Sequence, residues 1–241
     1  MNNVGHTLEQ TNVGLSNQLR WPTTAFSPWI GHAYIKGIQR KKILILGESH
    51  YHDCTKDANC NTPEGALENH QNLTYSAVAR WKNQSHSSPL SWKVPALFNF
   101  KFQEKEKFWD SVAFYNFMQT GAGASAQCKR RKDIWNENNS VASFQAVLDV
   151  LLPDLVLVLG KGNWLNLPSN ERMLRAKPRP ESELQLLAKI GNKDSGDTVA
   201  YWYRHKAGDA LFAPVFHPAS AAFRVTEWEP EVRKFLKFRG Q

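Results

Sequence analysis

The sequence predicts an α/β fold: three layers, α/β/α, around a central four-stranded, mainly parallel sheet. Three observations carry that expectation. Short, almost wholly apolar runs, Lys42 to Leu46 (KILIL) and Leu155 to Leu159 (LVLVL), read as strands buried on both faces. Both runs end at a glycine, Gly47 and Gly160, where the chain can turn. The order strand, connection, strand, helix, strand, connection, strand is that of parallel strands joined by crossovers on both faces of a sheet.

Taken in order, residues 1–20 form a polar N-terminal arm, and residues 21–241 one α/β domain. Lys42 to Leu46 is the first strand. Residues 52–95, rich in Asn, Ser, His and Pro, are a long insertion with one helix, Thr62 to Lys82; Thr62 suits its cap, Pro63 its first turn and Glu64 its positive end. Ser111 to Asn116 (SVAFYN) is the second strand. Ser140 caps a helix reaching Leu152, in which Val141, Phe144, Val147, Leu148 and Leu151 form one apolar face. Pro153-Asp154 turns into the third strand, Leu155 to Leu159. Thr198 to Tyr203 is strand-like, Ala207-Gly208-Asp209 is a turn, and Leu211 to Phe216 is the fourth buried strand. Pro230 to Arg239 is a basic C-terminal helix.

Composition narrows the function classes. Thirty Lys and Arg against 22 Asp and Glu leave a net charge of +8, which favours a polyanionic partner. The most apolar stretch, Val147 to Leu159, is cut by Asp149, Pro153 and Asp154 and falls short of the roughly 18–20 residues of a membrane span. Met1 to Arg20 lacks the apolar core of a signal peptide, and three cysteines make no even disulfide framework. The expectation is a cytoplasmic monomer with no membrane association.

In a parallel sheet, ligands bind beyond the carboxyl ends of the strands. The residues there are Gly47 to Tyr51, Asn116, Gly160 to Asn163 and His217 to Ser220, so polar groups stand at every strand end. Glu48, His50, His52 and Asp53 put four ionisable groups into one turn, suited to general acid–base work or to metal binding. Asn116 offers a donor and an acceptor together, the pattern that reads the edge of a nucleobase. Lys129, Arg130, Arg131 and Lys132 make a basic run suited to phosphates. Cys54 and Cys60 match no zinc spacing, and Gly160-Lys161-Gly162 lacks the length and ending of a P-loop.

The ordered set of motifs resembles the uracil-DNA glycosylase superfamily. Gly47-Glu48-Ser49-His50-Tyr51-His52 shares Gly, Tyr and His with the Gly-Gln-Asp-Pro-Tyr-His motif of one branch, and Gly-Glu with the Gly-Glu-Ala-Pro-Gly motif of another. Asn116 stands where the family carries a base-reading Asn at the end of its second strand. Leu155 to Gly160 is similar to the family's Val-Val-Leu-Leu-Gly strand. His217-Pro218-Ala219-Ser220 is similar to its His-Pro-Ser-Pro or His-Pro-Ala motif, and Pro95 to Asn99 to its Pro-Ser-Leu-x-Asn segment. The likeness spans roughly residues 40 to 235.

That resemblance implies a monofunctional DNA glycosylase that flips a base out of duplex or single-stranded DNA and hydrolyses its N-glycosidic bond. His217 would stabilise the charge on the departing base. Asn116 would hold the base edge, Tyr51 would wall the pocket, and Phe114, Phe117 or Phe98 would stack on the base. Phe223 or its neighbours would act as a wedge in the duplex, with Ser220, Arg224 and the Lys129 to Lys132 run on the backbone. The water-handling carboxylate of the first branch falls at Ser49, so water activation passes to Glu48, His50 or Asp53. Three cysteines are too few for the four-Cys iron–sulfur cluster of the second branch; no cofactor and no metal are expected. The insertion at 52–95 would open the pocket to a bulky modified pyrimidine, such as those of phage DNA, in a repair or a defence setting. Two other readings stay open: a metal-dependent hydrolase built on Gly47-Glu48-Ser49-His50, and a non-catalytic module that binds nucleic acid through its basic surface.

Overall fold

The computed structural model describes residues 26–50, 73–83, 88–119, 138–165, 167 and 201–237. It is an α/β structure around a mixed six-stranded sheet. The strands are β1 (Trp29–Ile30), β2 (Ile43–Gly47), β3 (Ala113–Asn116), β4 (Leu155–Leu159), β5 (Tyr201–His205) and β6 (Gly208–Val215), in the order β1-β3-β2-β4-β6-β5. The four runs read from the sequence, β3, β2, β4 and β6, pair in parallel at the centre. The expected four-stranded sheet gains an antiparallel strand at each edge, β1 on β3 and β5, which overlaps the strand-like stretch Thr198 to Tyr203, on β6; Gly208 and Asp209, expected in the turn, belong to β6. The first is two residues long, too short to leave a pattern in sequence. The second is antiparallel because only Lys206 and Ala207 separate β5 from β6, and a hairpin that tight cannot connect parallel strands.

Strand alternation sends side chains to two faces. Ile43, Ile45, Phe114, Leu155, Leu157, Leu159, Leu211, Ala213 and Val215 build one core, against helices α1 (Leu73–Lys82), α2 (Pro89–Leu97), α3 (Lys105–Asp110) and α6 (Val225–Lys237). Leu44, Leu46, Tyr115, Val156, Val158 and Phe212 build the other, against α4 (Asn138–Leu151) and the five-residue α5 (Lys161–Leu165). Helix α4 buries Phe144, Val147, Leu148 and Leu151, each worth about 1.5–3 kcal/mol when fully buried.

Several boundaries differ from expectation, each for a local reason. Ser140 lies inside α4 instead of capping it, and its buried Oγ accepts from Gln119 N at 3.2 Å, which ties the helix to the end of β3. Helix α6 begins at Val225, ahead of Pro230, because its apolar face starts at Trp228 and continues through Val232, Phe235 and Leu236. Helix α2 was not expected; Ser88 caps it, accepting from Ser91 N at 3.3 Å, and Pro89 occupies its first turn. Of the helix expected over Thr62 to Lys82, the part from Leu73 is described as α1. No helix among the described residues is long and apolar enough to cross a membrane.

Candidate functional site

Strands β2 and β4 are neighbours, but the next parallel strand after β2 lies on one side, and the next after β4 lies on the other. At such a switch point the loops diverge and open a crevice beyond the strand ends. A cavity of about 550 Å³ occupies that crevice. Glu48, Ser49 and His50 line it from the loop after β2, Asn116 and Phe114 from β3, Gly160, Lys161 and Gly162 from the turn after β4, and His217, Ala219 and Ser220 from the loop after β6. The four strand-end motifs singled out in the sequence therefore meet in one place. Helix α1 roofs the cavity with Ala77, Arg80 and Trp81, and α2 adds Leu90.

Asn116 is held by its neighbours. It is the register partner of Gly47, and its amide lies across the space where any other residue would carry a side chain: a Cβ on Gly47 would collide with Asn116 Oδ1. The ladder then runs on past both strands, with Phe117 N donating to Gly47 O at 3.0 Å and Met118 N to Glu48 O at 2.9 Å. Gln119 Nε2 donates to Asn116 O at 2.9 Å, and Gln119 Oε1 accepts from Phe26 N at 3.0 Å. Asn116 is thus buried, at 5 % exposure, with its backbone locked and its side chain on the wall of the cavity.

His217 lies two residues beyond the end of β6 and lines the cavity. Its Nδ1 accepts from Ala219 N at 3.2 Å, so a neutral ring carries its proton on Nε2. Gly160 lies beneath the imidazole with a φ of +97°, a conformation L side chains rarely adopt, and this lets β4 turn directly into α5. Asn163 Nδ2 donates to Leu46 O at 3.3 Å and pins that turn to the end of β2.

The remaining candidates divide. Glu48 lines the cavity with its Oε1 buried. His50 lines it too, but its ring packs on Phe26 at 4.8 Å and its Nε2 lies 3.0 Å from Thr74 Oγ1 at the start of α1. Burial pushes its pKa down to about 4, so His50 is neutral at pH 7. Phe114 is on the wall, whereas Phe117 faces the opposite core, against Phe144. Phe98 packs on Phe108. Phe223, expected as an exposed wedge, is 4 % exposed and packed in the core, with the Lys93 ammonium 5.5 Å from its ring centre. Arg224 is exposed and pairs with Glu227 at 3.7 Å. Tyr51, Asp53 and the run Lys129, Arg130, Arg131 and Lys132 lie outside the described residues.

The sequence reading missed Arg80, Trp81 and Leu90. Ala77, Arg80 and Trp81 are spaced i, i+3, i+4, the signature of one helix face, but a helix face does not say what it covers. Trp81 stands edge-on to Phe114 at 5.0 Å and tilted on Trp109 at 5.0 Å, so an aromatic wall backs the polar groups. Arg80 and Lys161 are exposed and line the same cavity as Glu48. Among the described residues no group of three or more His, Cys, Asp or Glu is placed to hold a metal ion. The arrangement brings an aromatic wall, an amide, an imidazole and a carboxylate to one cavity, groups that can stack on a flat polar ring, hydrogen-bond it and accept a proton. No protein-family model matches the chain, and no curated protein matches it in sequence.

Proposed function

We propose that the protein is a monofunctional DNA glycosylase of the uracil-DNA glycosylase type, acting on a base extruded from DNA. The observation that carries this reading is the meeting of Glu48, Asn116 and His217, from three different strand ends, in one cavity with an aromatic wall. A carboxylate, a base-reading amide and an imidazole donor are what N-glycosidic hydrolysis asks of a site. Asn116 holds the base edge. His217 Nε2–H hydrogen-bonds the base as the C1′–N bond breaks and the electron pair leaves with it. Glu48 takes a proton from the water whose oxygen bonds to C1′. Trp81 and Phe114 form the aromatic wall the ring packs against, and an aromatic contact of that kind is worth about 1–3 kcal/mol per base. A cavity of about 550 Å³ is larger than a bare pyrimidine fills, which supports a base carrying a bulky substituent. The net charge of +8 suits the DNA backbone.

The test is incubation with duplex and single-stranded DNA carrying uracil, hypoxanthine, hydroxymethylcytosine or its glucosylated form, followed by alkaline cleavage at abasic sites. Cleavage at one of these bases, lost by about 100-fold or more in Glu48→Gln and His217→Ala while DNA binding persists, is the expected result. No cleavage with any base at high protein concentration refutes the reading. A rate unchanged in both variants refutes the roles.

A further inference from the structure

We infer that Lys93, on α2, is a positioning residue that holds the His217 imidazole in the tautomer with its proton on Nε2. The inference rests on reading His217 as the donor to the leaving base. Lys93 acts through the peptide that joins Pro218 to Ala219, both ends of which are engaged. Lys93 Nζ donates to Pro218 O at 2.9 Å, and the N–H of the same peptide, on Ala219, donates to His217 Nδ1 at 3.2 Å. An ammonium on the carbonyl draws electron density from the amide and makes its N–H a stronger donor; hydrogen bonds in series polarise one another in this way. A nitrogen that accepts an N–H has no room for a proton of its own. The relay therefore disfavours the Nδ1–H tautomer and leaves Nε2–H as the donor.

The surroundings keep the relay in place. The Lys93 ammonium lies 5.5 Å from the Phe223 ring centre and 5.8 Å from that of Trp92, so two aromatic faces hold it. Ser220 N donates to His217 O at 2.8 Å and Phe223 N to Ser220 O at 3.1 Å, which closes the turn around the same peptide. Phe223 thereby has a use in the core, beneath the cation that orients the imidazole. The other charged or titratable groups on the cavity are Glu48 and His50 after β2, Arg80 from α1 and Lys161 after β4; Arg224, beyond the turn, pairs with Glu227. Lys93 is the cation seen bonded to the peptide that touches Nδ1.

Lys93→Met keeps the length and removes the charge; Lys93→Arg keeps the charge. Long-range proton–nitrogen NMR on the ¹⁵N-histidine-labelled protein reads the tautomer directly, with the His217 signals assigned by their loss in His217→Gln. In the wild type Nε2 is protonated and Nδ1 is not. In Lys93→Met the ratio of the Nε2–H to the Nδ1–H tautomer falls by about 10-fold, and Lys93→Arg restores it. In the excision assay Lys93→Met lowers kcat in proportion to the fraction of His217 that leaves the Nε2–H form, with KM unchanged. If Lys93→Met does not fold, Lys93→Gln carries the same comparison. A folded, uncharged variant whose His217 tautomer ratio matches the wild type overturns the inference, whether or not any base is excised. A wild type with the Nε2–H tautomer that excises no base instead overturns the glycosylase reading and leaves the Lys93 result standing.

Discussion

His50 makes the stability of the fold depend on pH in a direction that can be worked out in advance. The ring is 8 % exposed, packed on Phe26 and bonded to Thr74, and burial lowers its pKa to about 4. In the unfolded chain a histidine titrates near about 6.5. Between those values the unfolded state binds a proton that the folded state refuses, so stability falls as pH falls through that window and is fully present above it. The whole shift corresponds to about 3.4 kcal/mol, of which about 2.5 kcal/mol is lost between pH 7.5 and pH 4.5. Against a domain stability of about 5–15 kcal/mol this is a large fraction. The perturbation is His50→Gln, whose amide reaches Thr74 but does not titrate. Urea unfolding of both proteins at pH 7.5, 6.5, 5.5 and 4.5 gives the difference in stability at each pH. Taking that difference removes the contribution of His205, which burial also shifts down. The wild type's advantage over His50→Gln should shrink by about 2.5 kcal/mol toward acid. A difference constant to within about 0.5 kcal/mol would mean that His50 is not held buried and neutral.

Two substitutions probe the cavity walls. Gly47→Ala drives a Cβ into Asn116 Oδ1; overpacking of this kind costs about 1–3 kcal/mol, and displacing the amide should cut kcat/KM at least about 10-fold while thermal melting stays cooperative. A Gly47→Ala protein as active as the wild type would remove Asn116 from base recognition. Trp81→Ala strips the roof of its ring contacts with Phe114 and Trp109; it should lower stability by about 3 kcal/mol and raise KM for the DNA substrate more than it lowers kcat. Calorimetry together with steady-state kinetics checks both effects, and an unchanged KM would count against base stacking at Trp81.

The parts legible in sequence are those whose signal is local. Ile43 to Leu46 and Leu155 to Leu159 are buried on both faces, so every position must be apolar, and that pattern survives without knowledge of the neighbours. Helix α4 shows its buried stripe at i, i+3 and i+4 for the same reason. What stayed hidden depends on long-range partners. Trp29–Ile30 is a strand because Phe114 and Ala113 lie beside it. Ser140 looks like a cap in isolation, but its hydroxyl is taken by Gln119 N, 21 residues away. Phe114 and Phe117 are equal as aromatic candidates in sequence; an odd spacing on one chain segment puts the first on the cavity wall and the second in the opposite core.

The residue pattern alone puts polar groups after each buried strand, and hence Glu48, Asn116 and His217 near one edge of an α/β sheet. Which of them share a cavity, and what surrounds them, follows from how distant segments pack. Strand order puts β2 beside β4, and Gly47 leaves room for the amide of Asn116. Helix α1 supplies a roof of Arg80 and Trp81 from a stretch that read as insertion. The peptide after Pro218 joins Lys93 to the imidazole. The physical reason is that alternation and burial act over a few residues, while a binding site is assembled by contacts between segments far apart in the chain.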